Sequence, residues 1–171
     1  MHVVVEGTDG SGKSSLIQEL RRQCPASLLV LSRSRPPETL SEVLSFLRWV
    51  DGYVSNPPLV LDRYPLISEP IYGPLFRGTN LLAGIKADVF LTRMNKIIYC
   101  RPPVDRILAN VQRTRLDQMA GVVDHTAELI EQYDRQFADL IVRGYPVVFF
   151  DYTRHTVKDL FPHWFEGESN G

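Results

Sequence analysis

Cysteine is scarce in this chain. Only Cys24 and Cys100 occur in 171 residues, too few for a disulfide framework and at no metal-ligand spacing. Both are expected to be free thiols in a reducing compartment. Long apolar runs are missing too: no window holds eighteen consecutive apolar residues, which excludes a hydrophobic membrane-spanning helix. The chain starts in an apolar strand pattern with no basic leader. The expectation is a soluble, cytoplasmic protein with no membrane partner. Charge of one sign is almost balanced, at a formal net −1, so a general nucleic-acid binder is not expected. His2, His125, His155 and His163 show no pairing with Asp or Ser that would signal nucleophilic catalysis or zinc, and read as surface or packing residues. Repeats, linkers and low-complexity tracts are absent, so residues 1–171 read as one domain. Lysine is sparse beside arginine, four against fifteen. Arginine forks grip phosphate oxygens in pairs, although a general preference for arginine explains the skew equally well.

What is present is ordinary globular composition, 44% apolar and 23% charged, arranged as apolar runs between helical patterns. Val3-Val4-Val5, Leu28 to Leu31, Leu59 to Asp62, Lys96 to Cys100 and Val147 to Phe150 read as strands. Helical spacing runs from Leu16 to Gln23 and from a Thr39 or Ser41 cap through Leu44, Leu47, Trp49 and Val50. It recurs at Val104, Ile107, Leu108 and Val111, and again from Leu129 to Ile141, with Gly144 as a helix stop. Pro70, Gly73, Pro74, Gly78 and Gly84 are expected to break residues 66–93 into pieces, with a short helix from Leu81 to Thr92. A last helix is expected over Thr156 to Phe165, before a fraying tail from Glu166 to Gly171. Strands alternating with helices predict an α/β fold, a five-stranded parallel sheet with helices on both faces.

Directly after the first strand stands Gly7-Thr8-Asp9-Gly10-Ser11-Gly12-Lys13-Ser14, the complete G-x-x-x-x-G-K-[ST] pattern. Its glycines let successive amides turn inward on phosphates, Lys13 reaches the β/γ oxygens, and the Ser14 hydroxyl can ligate Mg²⁺. Gly10, Ser11, Gly12, Lys13, Ser14 and Ser15 are therefore the candidate nucleotide-binding residues, with ATP and Mg²⁺ the expected ligands. The fold expected is that of P-loop NTPases. Asp62 closes the third strand, where α/β sheets place their ligands, and can support Mg²⁺; the adjacent Arg63 can clamp a second phosphate. Turn capping is the alternative role for Asp62, and a surface ion pair for Arg63. Phosphoryl transfer needs positive charge on the migrating group, and the loop has no arginine between its fixed positions. Arg113 and Arg115, ahead of Met119-Ala120-Gly121, are the candidates to supply it; a solvated helix end is the other reading.

Glu6 to Ser15 resembles the phosphate loop of the thymidylate kinase family, and Asp62-Arg63-Tyr64 with Ser68 and Tyr72 resembles that family's second signature. The resemblance implies a compact member of the kind bacteriophages encode, acting in the host cytoplasm. It further implies a nucleoside monophosphate kinase that moves the ATP γ-phosphoryl group to a deoxynucleoside monophosphate, with dTMP first in line. Asp9 would meet the acceptor's 3′-hydroxyl, Arg63 its 5′-phosphate, and Tyr72 the sugar near C2′. Asp62 and Ser14 would hold the metal. Arg113 and Arg115 would lie in a lid around residues 113–125, and a homodimer is suggested. Phe46, Arg48 and Trp49 share a helix and could offer a stacking ring and a base-edge donor, or, for the aromatics, core packing. Glu69 and Pro70 stand where the family places residues that approach the base.

Two other readings use the same loop. A deoxynucleoside or polynucleotide 5′-hydroxyl kinase would need a base, from Asp62 or Glu6. A nucleotide switch would transfer nothing; Asn95-Lys96-Ile97-Ile98 lacks the aspartate of a guanine-reading N-K-x-D run.

Overall fold

Five apolar runs form one parallel sheet, β1 (His2–Glu6), β2 (Leu29–Ser32), β3 (Leu59–Asp62), β4 (Lys96–Cys100) and β5 (Val147–Phe150). The computed structural model describes residues 1–23, 28–32, 36–53, 57–85, 88–114 and 121–162. Strand order is β2-β3-β1-β4-β5, with every pairing parallel. The helices are α1 (Lys13–Gln23), α2 (Leu40–Gly52), α3 (Pro65–Arg77), α4 (Asp88–Leu91), α5 (Val104–Arg113), α6 (Thr126–Val142) and α7 (Val157–Leu160). None of the described helices is long and apolar enough to cross a membrane.

Alternation along the strands divides the core. Val4, Leu59, Leu61, Ile97 and Tyr99 pack on one face with Val43 and Leu47 of α2, Ile71 and Tyr72 of α3, and Tyr133 and Phe137 of α6. Val3, Val5, Val60, Ile98 and Cys100 pack on the other with Leu16, Ile17 and Leu20 of α1 and Val157 and Leu160 of α7. Side chains of successive strand residues point to opposite faces, so a sheet covered on both sides reads as an unbroken apolar run. Cys100 is a buried free thiol, pushed up to about 12 by burial; Cys24 lies outside the described residues.

Three helices differ from what the sequence predicts. Residues 66–93 do not break at Pro70, Gly73 and Pro74: α3 runs unbroken over Pro65–Arg77 with both prolines inside it, and ends at Gly78 with φ 71°. Each interior proline removes an amide donor and crowds a carbonyl. The helix nevertheless buries Leu66, Ile67, Ile71 and Tyr72 in the core, and that burial outweighs the local penalty. The segment expected to be helical from Leu81 to Thr92 instead makes a turn at 81–84 and a single helical turn at Asp88–Leu91. The last helix is likewise short, Val157–Leu160, started by a capping box in which Asp159 accepts from the Thr156 amide at 2.6 Å; the tail lies outside the described residues. In α2 the cap is Thr39, whose hydroxyl accepts from the Glu42 amide.

The topology gathers the loops that carry the candidate site residues. Central β1 pairs with β3 on one side and β4 on the other, with Val5 level with Asp62 and Ile98, and Glu6 level with Tyr99. The phosphate loop leaves β1 at this edge, and Arg63 and Arg101 leave the neighbouring strands beside it.

Candidate active site

The loop between β1 and α1 turns on glycines for reasons of space as well as backbone angle. Gly7, Gly10 and Gly12 have φ of 142°, 75° and 90°. A Cβ on Gly12 would stand 2.6 Å from the Tyr152 ring, and one on Gly10 2.8 Å from the Ile107 carbonyl of α5. Lys13 is buried, with Nζ donating to the Gly7 carbonyl at 2.9 Å and the Thr8 carbonyl at 2.6 Å. Burial, with repulsion from Arg63, lowers its pKa to about 8. The Thr8 and Ser11 hydroxyls are buried in the loop without a hydrogen-bond partner. Such groups cost stability unless something accepts or donates to them.

Asp9, Gly10, Gly12, Lys13, Ser14 and Ser15 line a cavity of about 320 Å³, and Asn110, Arg113 and Thr114 of the α5 end close its other side. Asn110 was not legible as a site residue in the sequence. Its Nδ2 donates to the Gly10 carbonyl at 2.9 Å and to the Tyr152 hydroxyl at 3.0 Å, while its Oδ1 accepts from Arg113 at 3.3 Å. Its place three residues before Arg113, one helical turn back, was the available signal. Arg115 lies outside the described residues. A second cavity of about 390 Å³ shares Ser15 and is walled by Leu16, Phe150, Tyr152, His155 and Val157.

Asp9, which lines the first cavity, also meets Arg63 and Tyr72. Arg63 Nη2 donates to Asp9 Oδ1 at 2.6 Å, the Tyr72 hydroxyl donates to Asp9 Oδ2 at 3.2 Å, and the guanidinium lies 4.8 Å from the Tyr72 ring centroid. Burial alone would raise the Asp9 pKa, but Arg63, Lys13 and Tyr72 together hold it below its ordinary value. Burial pushes Tyr72 up to about 12. Beneath this trio Glu6 is fully buried. Burial raises its pKa, against the pull of Arg63, the Tyr64 amide, Tyr133 and Lys13.

Asp62 is half-buried and accepts from the Ser32 hydroxyl at 2.8 Å. Ser14 is exposed in the first cavity. Phe46 packs against the core beside Tyr64, ring centroids 6.2 Å apart, while Arg48 stands exposed on α2. Trp49 is 47% exposed against Tyr53. Glu69 is buried, paired with Arg77, and accepts from the Leu81 amide at 3.0 Å.

No protein-family model matches the chain. Among solved structures it is similar to deoxyadenosine kinase from M. mycoides with bound dATP, at 16% identity and TM-score 0.61, over 99% of this chain and 100% of that one. A structure of that kinase with products dCMP and a flexible dCDP matches at 14% identity and TM-score 0.57, over the same shares. The YorR protein from Bacillus subtilis, in complex with phosphorylated GDP, matches at 14% identity and TM-score 0.66 over 100% of both chains. With the strand order and the glycine-rich loop, these likenesses show a five-stranded, all-parallel α/β sheet of the P-loop kinase fold.

Proposed function

We propose that this chain is a phosphotransferase that moves the γ-phosphoryl group of ATP to a deoxynucleoside monophosphate, with dTMP the first acceptor to test and a wider range of deoxynucleotides next. The observation that carries this reading is the Asp9–Arg63–Tyr72 trio, which adjoins the phosphate cavity through Asp9, one of its lining residues. A guanidinium on one side of Asp9 suits an acceptor phosphate, and the carboxylate itself suits a sugar hydroxyl. The Tyr72 ring supplies a wall that a ribose 2′-hydroxyl would crowd.

In this reading the amides of Gly10 to Ser15 and the Lys13 ammonium hold the donor's β- and γ-phosphates. The second cavity, apolar at Leu16, Phe150 and Val157, takes the donor's base. Arg113 and Arg115 bring positive charge to the migrating group from a lid at residues 113–125. Such an arginine is worth roughly 10³ or more in turnover. An ionised acceptor phosphate needs no proton abstracted before it attacks, so positioning and charge carry the barrier. Ser14 and Asp62 offer the hard oxygen donors that Mg²⁺ prefers. Among the described residues no cluster of three or more His, Cys, Asp or Glu forms a metal cage. That fits an ion held largely by substrate phosphates. Bound Mg²⁺ would neutralise charge on the phosphate oxygens; Ser14 and Asp62 are the residues that would hold it.

The likeness to a deoxyadenosine kinase favours one second reading, a deoxynucleoside acceptor. It needs a base, and Glu6 is committed to three donors, which leaves Asp62. ADP release measured across deoxynucleosides and deoxynucleoside monophosphates separates the two. The expected outcome is turnover with monophosphates and none with nucleosides; turnover confined to nucleosides overturns the first reading. Arg63→Ala should raise the acceptor KM by about tenfold or more and change the ATP Kd far less, since the charge-assisted contact it removes is to the acceptor and its reach to Lys13 is electrostatic only.

A further inference from the structure

Arg63 is the sole described non-glycine residue with positive φ, at 67°. A left-handed arginine is held against a local energy cost. What holds it is hydrogen bonding on both sides. Its own amide donates to the Val5 carbonyl at 3.0 Å, and the next amide, of Tyr64, donates to Glu6 Oε1 at 2.6 Å. Glu6 Oε2 accepts from the Tyr133 hydroxyl at 2.9 Å and from the Gly7 amide at 3.4 Å. The same Tyr133 hydroxyl accepts from Arg63 Nη1 at 3.5 Å. Tyr133 comes from α6, 127 positions after Glu6.

We infer that Glu6 and Tyr133 are a buried positioning pair for Arg63, acting on the acceptor through that guanidinium without touching the acceptor. This rests on the monophosphate-kinase reading and adds to it the residues that set acceptor affinity.

The chemistry of the partners specifies a carboxylate. Three donors and no acceptor converge on Glu6, and an ionised carboxylate offers only acceptors. A glutamine there would turn an NH₂ donor toward one of them. Tyr133 is equally specified. A hydroxyl has one proton and two lone pairs, so it donates to Glu6 while accepting from Arg63. Phenylalanine keeps the ring and loses both links. Lys13 and Arg63 also act on this carboxylate electrostatically, against the cost of its burial. The pair thus fixes the Arg63 backbone through Tyr64 and its guanidinium through Tyr133, aimed at Asp9 and the Tyr72 ring.

The test is a double-mutant cycle on acceptor binding. Affinities for dTMP and the other deoxynucleoside monophosphates are measured by calorimetry for the original protein, Tyr133→Phe, Arg63→Ala and the double variant. ATP affinity and thermal melting are followed alongside. Tyr133→Phe should weaken monophosphate binding about fivefold to tenfold, leave the ATP Kd within about twofold, and add nothing once Arg63 is alanine. Glu6→Gln should behave likewise on the acceptor side. Unchanged acceptor affinity in Tyr133→Phe overturns the inference, as does an additive loss in the double variant, which is the mark of a purely structural role. If the original protein binds no monophosphate, the monophosphate-kinase reading falls and the inference falls with it. If it does bind and the cycle is additive, the inference alone falls.

Discussion

Lys13 shows how one residue's surroundings set its chemistry. Burial and the nearby Arg63 lower its pKa to about 8, against 10.4 in model peptides. The unfolded chain therefore binds more protons between these values, and the Lys13 contribution to stability rises with pH across that window. In the role proposed for Lys13, phosphate binding works in the opposite sense, because only the ammonium attracts the donor. At pH 8 ATP binding should draw in about half a proton at this site, more at pH 9 and little at pH 7. Calorimetry in buffers of different ionisation enthalpy measures it, and Lys13→Ala should remove that component and abolish transfer.

At the scale of elements, α3 is the segment that sequence reasoning broke and the fold keeps whole. Its buried face includes Leu66, Ile67, Ile71 and Tyr72, so the helix survives two interior prolines because packing outweighs the lost backbone bonds. Pro74 is exposed, and its replacement restores a donor without disturbing the core. Pro74→Ala should raise unfolding stability by about 1 kcal/mol or more, read as a higher urea midpoint at unchanged slope. The gain falls below the full proline penalty because alanine also loosens the unfolded chain. Glu69 belongs to the same element. It stabilises the turn after α3 through Leu81 and Arg77, a role its sequence position did not disclose.

At the scale of the molecule, an aromatic layer ties α6 to the sheet. Tyr99 and Phe137 stack with centroids 4.1 Å apart and planes 5° apart, while the Tyr99 hydroxyl and the Arg101 fork both grip Asp134. Because α6 also carries Tyr133, this layer seats the Glu6–Tyr133–Arg63 network as well as the core. Phe137→Ala should cost about 3–5 kcal/mol. A domain of this size has only ~5–15 kcal/mol in all, so much of the chain should lose cooperative melting near 37 °C, followed by circular dichroism.

Strand positions, the phosphate loop and the parallel α/β class were written in the sequence by itself. They depend on local regularities: strands buried on both faces need continuous apolar runs, and a phosphate cradle needs glycines at set spacing. The pairing of Arg63 with Asp9 across 54 positions, the descent of Glu6 beneath it, and the arrival of Asn110, Tyr133 and Tyr152 were decided by tertiary structure. Those side chains come from separate elements, and no local pattern encodes which strand lies beside which. Only the order β2-β3-β1-β4-β5 brings the ends of β1 and β3 together and turns scattered polar residues into one site.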